Sequence, residues 1–198
     1  REGPVFALGA DGLGLAKQRF DPARRDFVVL GSIEPRKNLP ALLEAFQGLW
    51  REGMDVRLVL LGRIIGAPER EQAMLASLAA EPRLTFIQEP DETVVRSALS
   101  RARALLAASI AEGFGLPPFE ALAAGIPVIA PADMPSIRLL PPGGQVRLKG
   151  TSAAEIADAV RLLRDDVTAQ RLFAEAAGLR VPTWADFSAA LAAWLHEA

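Results

Sequence analysis

The sequence contains no cysteine and a single histidine in 198 residues. The absence of cysteine excludes disulfide bonds, a thiol nucleophile and thiolate metal ligands. The histidine, His196, lies two residues from the end of the chain, where we expect an exposed position on a helix. A histidine general base is therefore not expected, and any chemistry must depend on other side chains.

The chain also lacks an excess of charge of either sign and any long apolar run. Its 22 basic and 24 acidic residues give a net charge of −2, so the overall charge does not attract nucleic acid or an anionic membrane. No uncharged apolar stretch approaches the ~18 residues that a membrane span needs. No apolar core follows Arg1, as it would in a signal peptide. We therefore expect a cytoplasmic protein.

The hydrophobic residues, 51% of the chain, are enough for the core of one substantial domain. Residues 1–25 are rich in glycine and charge and predict a lead-in or linker from a preceding domain. Gly9, Gly12 and Gly14 lie in this part, but the sequence around them predicts neither a preceding strand nor a following helix. They therefore do not form a dinucleotide fingerprint, and we place the folded domain at residues 26–198.

Short apolar runs alternate with longer runs of helical period from residue 27 onward. The short runs are apolar on both faces, which is typical of strands covered on both sides of a parallel sheet. Predicted strands span 27–31, 56–61, 84–87, 104–108, 127–130 and 145–148. Predicted helices span 40–51, with Asn38 as the N-cap, 68–80, 92–103, 117–124, 153–164, 167–177 and 184–197. The alternation predicts an α/β fold: a Rossmann-like, doubly wound parallel sheet of six strands with helices on both faces.

The expected strand order places two unusual loops side by side. In the common order 3-2-1-4-5-6, strands one and four are neighbours, and ligands bind at their carboxyl ends. Strand one leads into the loop 32–38, which contains Ser32, Arg36 and Lys37. Strand four leads into the loop 109–115. We therefore predict a ligand site between these two loops.

The loop after strand four leads into a helix and contains two glutamates. The segment EGFGLPPFE runs from Glu112 to Glu120. Gly113 and Gly115 permit close backbone approach, and Pro117 suits the first turn of a helix. Unpaired amides at a helix start favour a phosphate, and carboxylates accept hydrogen bonds from sugar hydroxyls. The combination suits a nucleotide-sugar, in which an anionic diphosphate joins two neutral, hydroxyl-rich groups.

These residues also have simpler interpretations. Glu112 can be a solvated loop acid, and Glu120 can be a first-turn glutamate that complements the helix dipole. Residues 36–38 can form an exposed turn. Phe114 and Phe119 are expected to pack against the protein rather than to stack on a ligand. The coincidence of these features at adjacent strand ends favours the ligand site.

Residues 112–129 resemble the donor-binding signature of the family 4 retaining glycosyltransferases, which have the two-domain GT-B fold. The matching features are the spaced glutamates, the segment EGFGLP and the following segment EALAAGIPVI. The loop GSIEPRKN at 31–38 resembles the corresponding loop of one subgroup, and LVLLG at 58–62 resembles the second strand. The resemblance extends from about residue 20 to the C-terminus and covers the second, donor-binding domain of such an enzyme.

The resemblance implies a role for each candidate residue. Lys37 would contact the donor diphosphate, Glu112 the transferred sugar and Glu120 the ribose hydroxyls. Sugar transfer would proceed with retention of configuration, with no metal and no cofactor, and Lys37 and the helix start would stabilise the departing diphosphate. Glu112 and Lys37 are the expected catalytic pair, within a donor-binding set of Ser32, Arg36, Lys37, Ser109, Glu112, Gly113, Phe114, Gly115, Leu116 and Glu120.

The sequence departs from the family pattern at two places. Many members have an arginine at the position of Ser32, and Arg36 is the expected substitute. Many members have Pro-Glu where this chain has Pro135 and Ser136, so no role is assigned there. The expected partner is a missing N-terminal domain that binds the acceptor and would make any membrane contact. Alone, the domain is expected to bind donor but to transfer poorly or not at all.

Two other functions remain open. One is a non-catalytic nucleotide-binding or interaction module that kept the fold, which Ser32 and the missing domain allow. The other is a different GT-B enzyme, such as an epimerase or a phosphorylase, although these lack the glutamate pair in this form. The loop 31–38 resembles members that use mannose-type donors in polysaccharide biosynthesis. That resemblance favours a guanosine nucleotide, with base recognition expected around Gln88.

Overall fold

The computed structural model describes residues 6–197, and its central feature is one parallel sheet. The strand order is 3-2-1-4-5-6, and all neighbouring strands are parallel. The strands are β1 Asp26–Leu30, β2 Arg57–Leu61, β3 Leu84–Ile87, β4 Ala102–Leu106, β5 Val128–Pro131 and β6 Gln145–Leu148. The predicted fold class and strand order are confirmed, and the direction of winding reverses between β1 and β4.

Helices cover both faces of this sheet. Their ranges are α1 Leu39–Arg51, α2 Glu69–Ser77, α3 Glu92–Arg101, α4 Leu116–Ala123, α5 Pro135–Leu139, α6 Ala153–Arg164, α7 Asp166–Gly178 and α8 Trp184–Glu197. Helices α1, α2 and α6 build one hydrophobic core against the sheet, and α3, α4 and α5 build the other. The strands are apolar on both faces, as predicted, because each face meets one of these cores.

Strand β4 begins two residues earlier than predicted, at Ala102. The difference arises at Arg103, a charged residue that the sequence pattern assigned to the end of a helix. The Arg103 side chain is fully buried, and it donates hydrogen bonds to the Leu163 carbonyl at 2.7 Å and to Asp166 at 2.6 Å. Because Asp166 pairs with its charge and the hydrogen bonds satisfy Nε and Nη2, an arginine can occupy a buried strand, although its Nη1 has no hydrogen-bond partner among the described residues.

Helix α5 was not predicted from the sequence. Its five residues are too few to show a helical period. Its position depends on a tertiary contact, because the Ser136 N–H donates to the Phe114 carbonyl at 2.9 Å. Helix α5 therefore fixes the loop that follows β4.

The segment before β1 packs along the start of α8. The Ala10 N–H donates to the Pro182 carbonyl at 2.9 Å, and the Trp184 N–H donates to the Asp11 carboxylate at 2.8 Å. Residues 1–5 lie outside the described part of the chain. The lead-in expected over the first 25 residues therefore stays a prediction.

Candidate functional site

The loops that follow β1 and β4 lie side by side at the carboxyl edge of the sheet. The loop after β1 forms one 3-10 turn, Pro35–Lys37. In the other loop, the Ile110 N–H donates to the Arg36 carbonyl at 2.8 Å. This contact follows from the strand order, because β1 and β4 are neighbours in the sheet. The predicted meeting of the two loops is confirmed.

Four of the candidate residues form one hydrogen-bonded cluster. Lys37 Nζ donates to Oε1 of Glu112 at 2.5 Å, and Arg36 Nη1 donates to Oε2 at 2.6 Å. Ser109 Oγ donates to Oε1 at 2.8 Å. The Glu112 and Lys37 side chains are only 12% and 15% exposed. Their charges therefore interact more strongly than they would at a fully solvated surface.

The surroundings of Glu112 keep its carboxylate ionised. Burial by itself would raise its pKa. Hydrogen bonds from Lys37 and Ser109, together with the charges of Lys37 and Arg36, outweigh burial and hold the pKa below its ordinary value of 4.5. The acid and the two cations thus satisfy one another. An incoming anion would therefore compete with Glu112 for both cations.

Arg36 is also held by a second carboxylate that the sequence analysis did not include. Arg36 Nε donates to Glu34 at 2.8 Å, and Ser32 Oγ donates to the same carboxylate. These hydrogen bonds lower the pKa of Glu34. Ser32 is thus linked to Glu112 through Glu34 and Arg36. In the sequence, the two-residue spacing of Glu34 and Arg36 within one tight turn could have indicated this contact.

Asn38 stands at the N-cap position of α1, as predicted, but its side chain does not cap the helix. Asn38 has a left-handed backbone with φ of 58°, and within the described residues its side chain makes no capping hydrogen bond. Asn38 Nδ2 instead donates to the Thr151 carbonyl at 2.7 Å. Asparagine tolerates the left-handed region better than most residues, so it allows a sharp turn between Lys37 and α1. The bond to Thr151 ties this turn to the segment after β6.

The loop after β4 ends in a turn with four free amides, those of residues 113–116. In the described part of the chain, these N–H groups have no hydrogen-bond acceptor. Gly115 has φ of 92°, and a Cβ there would lie 2.6 Å from Met134 Sδ, so this position requires glycine. Pro117 and Pro118 follow and have no N–H. The free amides therefore come from the turn that opens α4, where an anion is favoured.

The aromatic rings beside this turn are packing residues, as expected. Phe114 meets Phe119 edge to face with their ring centroids 5.2 Å apart, and Phe119 is fully buried. Phe114 is half-buried, and its backbone N–H is one of the four free amides. Leu116 follows as the first residue of α4.

Glu120 lies in the second turn of α4, not in the first turn as predicted, because the helix begins at Leu116. This position weakens the interpretation of Glu120 as a complement to the helix dipole, which acts mainly within the first turn. The Glu120 carboxylate is partly buried near Gly12, where a Cβ would lie 2.9 Å from Oε1. Burial raises the pKa of Glu120. Among the described residues it has no ion-pair partner, so it is available to accept ligand hydrogen bonds.

Among the described residues, metal ligands, membrane-spanning helices and the histidine do not contribute to this site. Among residues 6–197, no three side chains of histidine, aspartate or glutamate are grouped as metal ligands. No helix in the same range is long and apolar enough to cross a membrane. His196 is exposed on α8, as expected. The expectation that catalysis needs no metal stays a prediction.

Comparison with known protein families identifies the fold and the site as parts of one known domain. Residues 15–179 match the model of the family described as glycosyl transferases group 1. The chain belongs to this family. The resemblance found in the sequence is thereby confirmed.

Several curated relatives of this family member are mannosyltransferases. The serotype-specific mannosyltransferase WbdA of Escherichia coli is 32% identical over 142 residues, which cover 70% of this chain and 17% of that protein. The phosphatidyl-myo-inositol mannosyltransferase of Mycobacterium leprae is 34% identical over 148 residues, which cover 73% of this chain and 38% of that protein. The chain thus spans well under half the length of these relatives.

Solved structures of glycosyltransferases and related enzymes share the fold. Sucrose-phosphate synthase from Thermosynechococcus elongatus matches with a TM-score of 0.75 at 19% identity, over 98% of this chain and 51% of that chain. Anabaena HepE, solved in complex with UDP and glucose, matches with a TM-score of 0.72 at 19% identity, over 89% and 50%. The C-terminal domain of the group 1 family protein LpcC from Francisella tularensis matches with a TM-score of 0.63 at 20% identity, over 87% and 92%. The chain therefore has the fold of a C-terminal, GT-B-like domain.

Proposed function

We propose that this chain is the donor-binding domain of a retaining glycosyltransferase and binds a nucleotide-sugar between the loops after β1 and β4. The observation that supports this most strongly is that two cations, Lys37 and Arg36, bind the Glu112 carboxylate, which directly precedes the four free amides of residues 113–116 in the chain. These groups offer charge and N–H donors to a diphosphate. Glu112 and Ser109 offer hydrogen-bonding partners to a sugar.

Donor binding exchanges the partners of Glu112 in this proposal. The diphosphate supplies the negative charge that Glu112 supplies to Lys37 and Arg36 in the free chain. The Glu112 oxygens then turn to sugar hydroxyls, which a carboxylate can accept in pairs. Lys37 and the start of α4 stabilise the charge that develops on the diphosphate as the sugar leaves. Glu112 and Lys37 therefore form the catalytic pair.

Glu120 binds the ribose hydroxyls. Its partly buried carboxylate lies one turn beyond the free amides and has no cation beside it in the described part of the chain. An ionised carboxylate accepts hydrogen bonds from two neighbouring hydroxyls. Because the diphosphate lies between ribose and sugar, the positions of Glu112 and Glu120 on either side of the amides match the order of groups in a nucleotide-sugar.

The donor is of the GDP-mannose type. The similarity of the loop 31–38 to mannose-using members supports this choice, and so do the names of the two relatives from Escherichia coli and Mycobacterium leprae. The complete enzyme would act in the cytoplasm, without a metal, on a sugar or lipid-linked acceptor of polysaccharide biosynthesis. A further N-terminal domain would bind that acceptor, in keeping with the greater length of these relatives.

The proposal is tested by calorimetric titration of the chain with GDP, UDP and ADP. We expect saturable binding with GDP preferred. Lys37→Ala should weaken GDP binding by roughly 1.5–3 kcal/mol and Glu120→Ala by roughly 1–3 kcal/mol, because each removes hydrogen bonds to a charged group. These losses correspond to roughly fivefold to 150-fold changes in Kd.

Matched controls are available on the surface of the same domain. Lys149 and Glu44 are exposed and lie outside the site, so Lys149→Ala and Glu44→Ala should leave GDP binding unchanged. If none of the three nucleotides binds the unaltered chain, the donor-binding function is wrong and the interaction module is favoured.

A further inference from the structure

A cavity of about 250 Å³ lies between the loop after β4 and the loop after β5. Its volume equals that of about eight waters at ~30 Å³ each, which is comparable to one monosaccharide. Ser109, Ile110 and Glu112 contribute to one wall, and Pro131, Asp133 and Met134 contribute to the other. The cavity thus shares Glu112 and Ser109 with the proposed donor site.

The second carboxylate of this cavity, that of Asp133, stands on a fixed backbone. The Met134 N–H donates to the Pro131 carbonyl at 3.2 Å and closes a turn around Asp133. The Ala132 N–H donates to the Leu148 carbonyl at 2.9 Å and ties the same turn to β6. Within residues 6–197 the Asp133 side chain makes no hydrogen bond or ion pair. The backbone at Asp133 is therefore held in one place, while its exposed carboxylate oxygens stay free to accept hydrogen bonds.

We propose that Asp133 is a specificity-determining residue that accepts hydrogen bonds from the hydroxyls of the transferred sugar. This inference rests on the proposed function, because it assigns the cavity to the sugar of the bound donor. Glu112 and Asp133 then act as two acceptors on opposite walls, with the Ser109 hydroxyl beside Glu112. Carboxylates on two walls accept only from hydroxyls that can reach them, so they select among sugars by hydroxyl orientation.

The charge of Asp133 decides which part of a donor it can face. Lys37 and Arg36 contact Glu112 from the loop after β1, whereas Asp133 lies on the side of β5 and has no cation beside it in the described residues. A carboxylate without a cation repels a diphosphate. A neutral sugar carries no such penalty and offers hydroxyl donors.

The apolar walls of the cavity suit the same ligand. Ile110 is 67% exposed at its mouth, and the buried Met134 forms part of its wall. A sugar ring has C–H groups on its faces and hydroxyls at its edge, and binding sites for small molecules combine apolar walls with a few fixed polar groups. The exposed isoleucine gains burial when a sugar enters, and the carboxylates meet the hydroxyl edge.

The test compares GDP with GDP-mannose as probes on the unaltered chain and on Asp133→Ala and Asp133→Asn. Removal of the carboxylate should weaken GDP-mannose binding about tenfold, as expected for the loss of a hydrogen bond to a charged group. GDP binding should stay within about twofold of its original value. Saturation-transfer NMR should also show weaker transfer from the protein to the mannosyl protons in Asp133→Ala.

Asp158→Asn is the matched control, because Asp158 is an exposed aspartate on α6, and it should change neither Kd. Unchanged GDP-mannose binding in both Asp133 variants would overturn the role of Asp133. An equal loss for GDP and GDP-mannose would also overturn it, because Asp133 would then contact the nucleotide. If the unaltered chain binds no nucleotide at all, the proposed function itself fails, which is a distinct result.

Discussion

Glu112 and Glu120 carry the same functional group, but their pKa values shift in opposite directions. Hydrogen bonds and cations lower the pKa of Glu112, and burial raises that of Glu120. Ionised Glu112 therefore stabilises the fold above the pKa of the unfolded chain, and this contribution is lost as the pH falls through its lowered value. The contribution of Glu120 to the stability of the fold depends on pH in the opposite direction. It is present at low pH and is lost as the pH rises through the raised pKa of Glu120.

The raised pKa of Glu120 predicts a pH dependence of nucleotide binding. Ribose hydroxyls need an ionised acceptor, so GDP binding should weaken as the pH falls toward the raised pKa, above the ordinary value of 4.5. Titrations from about pH 7.5 to about pH 5 check this range. The measured quantity is the ratio of the Kd values of the unaltered chain and Glu120→Gln.

Protonation of GDP and of the other site residues affects both proteins and cancels in that ratio. The glutamine variant should bind more weakly at neutral pH, and the difference should shrink as the pH falls. A ratio that stays constant over the whole range would contradict the ribose role of Glu120.

Sequence reasoning at the residue level succeeded where partners were set by the strand order. The proximity of Lys37 and Glu112 follows from the neighbouring positions of β1 and β4, which the alternating pattern predicts. The role of Glu34 did not follow, because it depends on how one 3-10 turn directs a side chain. The contact of Asn38 with Thr151 joins two distant parts of the chain, and a local capping rule cannot predict it.

At the scale of elements, the segment that leads into α5 packs against the turn before α4 and holds it in place. The Ser136 N–H binds the Phe114 carbonyl, and Met134 lies directly under Gly115. The Ser136 hydroxyl is buried and has no partner among the described residues. Met134 and Ser136 lie so close to Gly115 that they leave no room for a side chain there, whereas Gly113 faces open space. Gly115 is therefore required by its surroundings and its left-handed φ, whereas neither condition applies at Gly113.

This difference predicts unequal effects of two alanine substitutions. Gly115→Ala should lower the free energy of unfolding by about 2–4 kcal/mol, because its Cβ would meet Met134 and its φ is left-handed. Gly113→Ala should change the stability by less than about 0.5 kcal/mol, because no atom lies within 4 Å of its Cβ. Urea denaturation measures both values. Similar losses in the two variants would show that the contact under Gly115 is not tight.

The elements themselves were predictable to different degrees. Long helices with a clear period were predicted well: α6 spans Ala153–Arg164 as expected, and a capping box of Ser152 and Glu155 stabilises its start. Helix α5 was missed because its stability comes from contacts with the turn before α4. The start of β4 was displaced because the partners of Arg103 lie about sixty residues away along the chain.

At the scale of the whole molecule, the six-stranded sheet brings the two site loops together at one edge. The alternation of strands and helices was sufficient to predict this arrangement, because few topologies are compatible with right-handed parallel connections. The chain nevertheless spans only 17% and 38% of the two mannosyltransferase relatives. The fold can therefore be read from this chain, and the proposed donor site lies within it, whereas acceptor binding is assigned to the proposed N-terminal domain.

Because donor and acceptor are assigned to separate domains, we predict that donor binding can be separated from sugar transfer. The 198-residue chain should bind GDP-mannose but transfer mannose to sugar acceptors poorly or not at all, because acceptor binding and closure over the donor need the second domain. A radiolabelled transfer assay with the isolated chain checks this. Efficient transfer by the chain alone would contradict the proposed need for a separate acceptor domain.

The central claim is that a nucleotide diphosphate binds between the loops after β1 and β4. A backbone amide NMR titration of the labelled chain with GDP tests this most directly. We predict that the largest shifts occur at Lys37, at residues 113–116 and near Glu120. Apart from the surroundings of Gln88, where base recognition is expected, residues beside the larger cavity of about 610 Å³ between α2 and β3, such as Ala76 and Ala79, should not shift. Shifts centred on that cavity, with residues 113–116 unchanged, would contradict the claim.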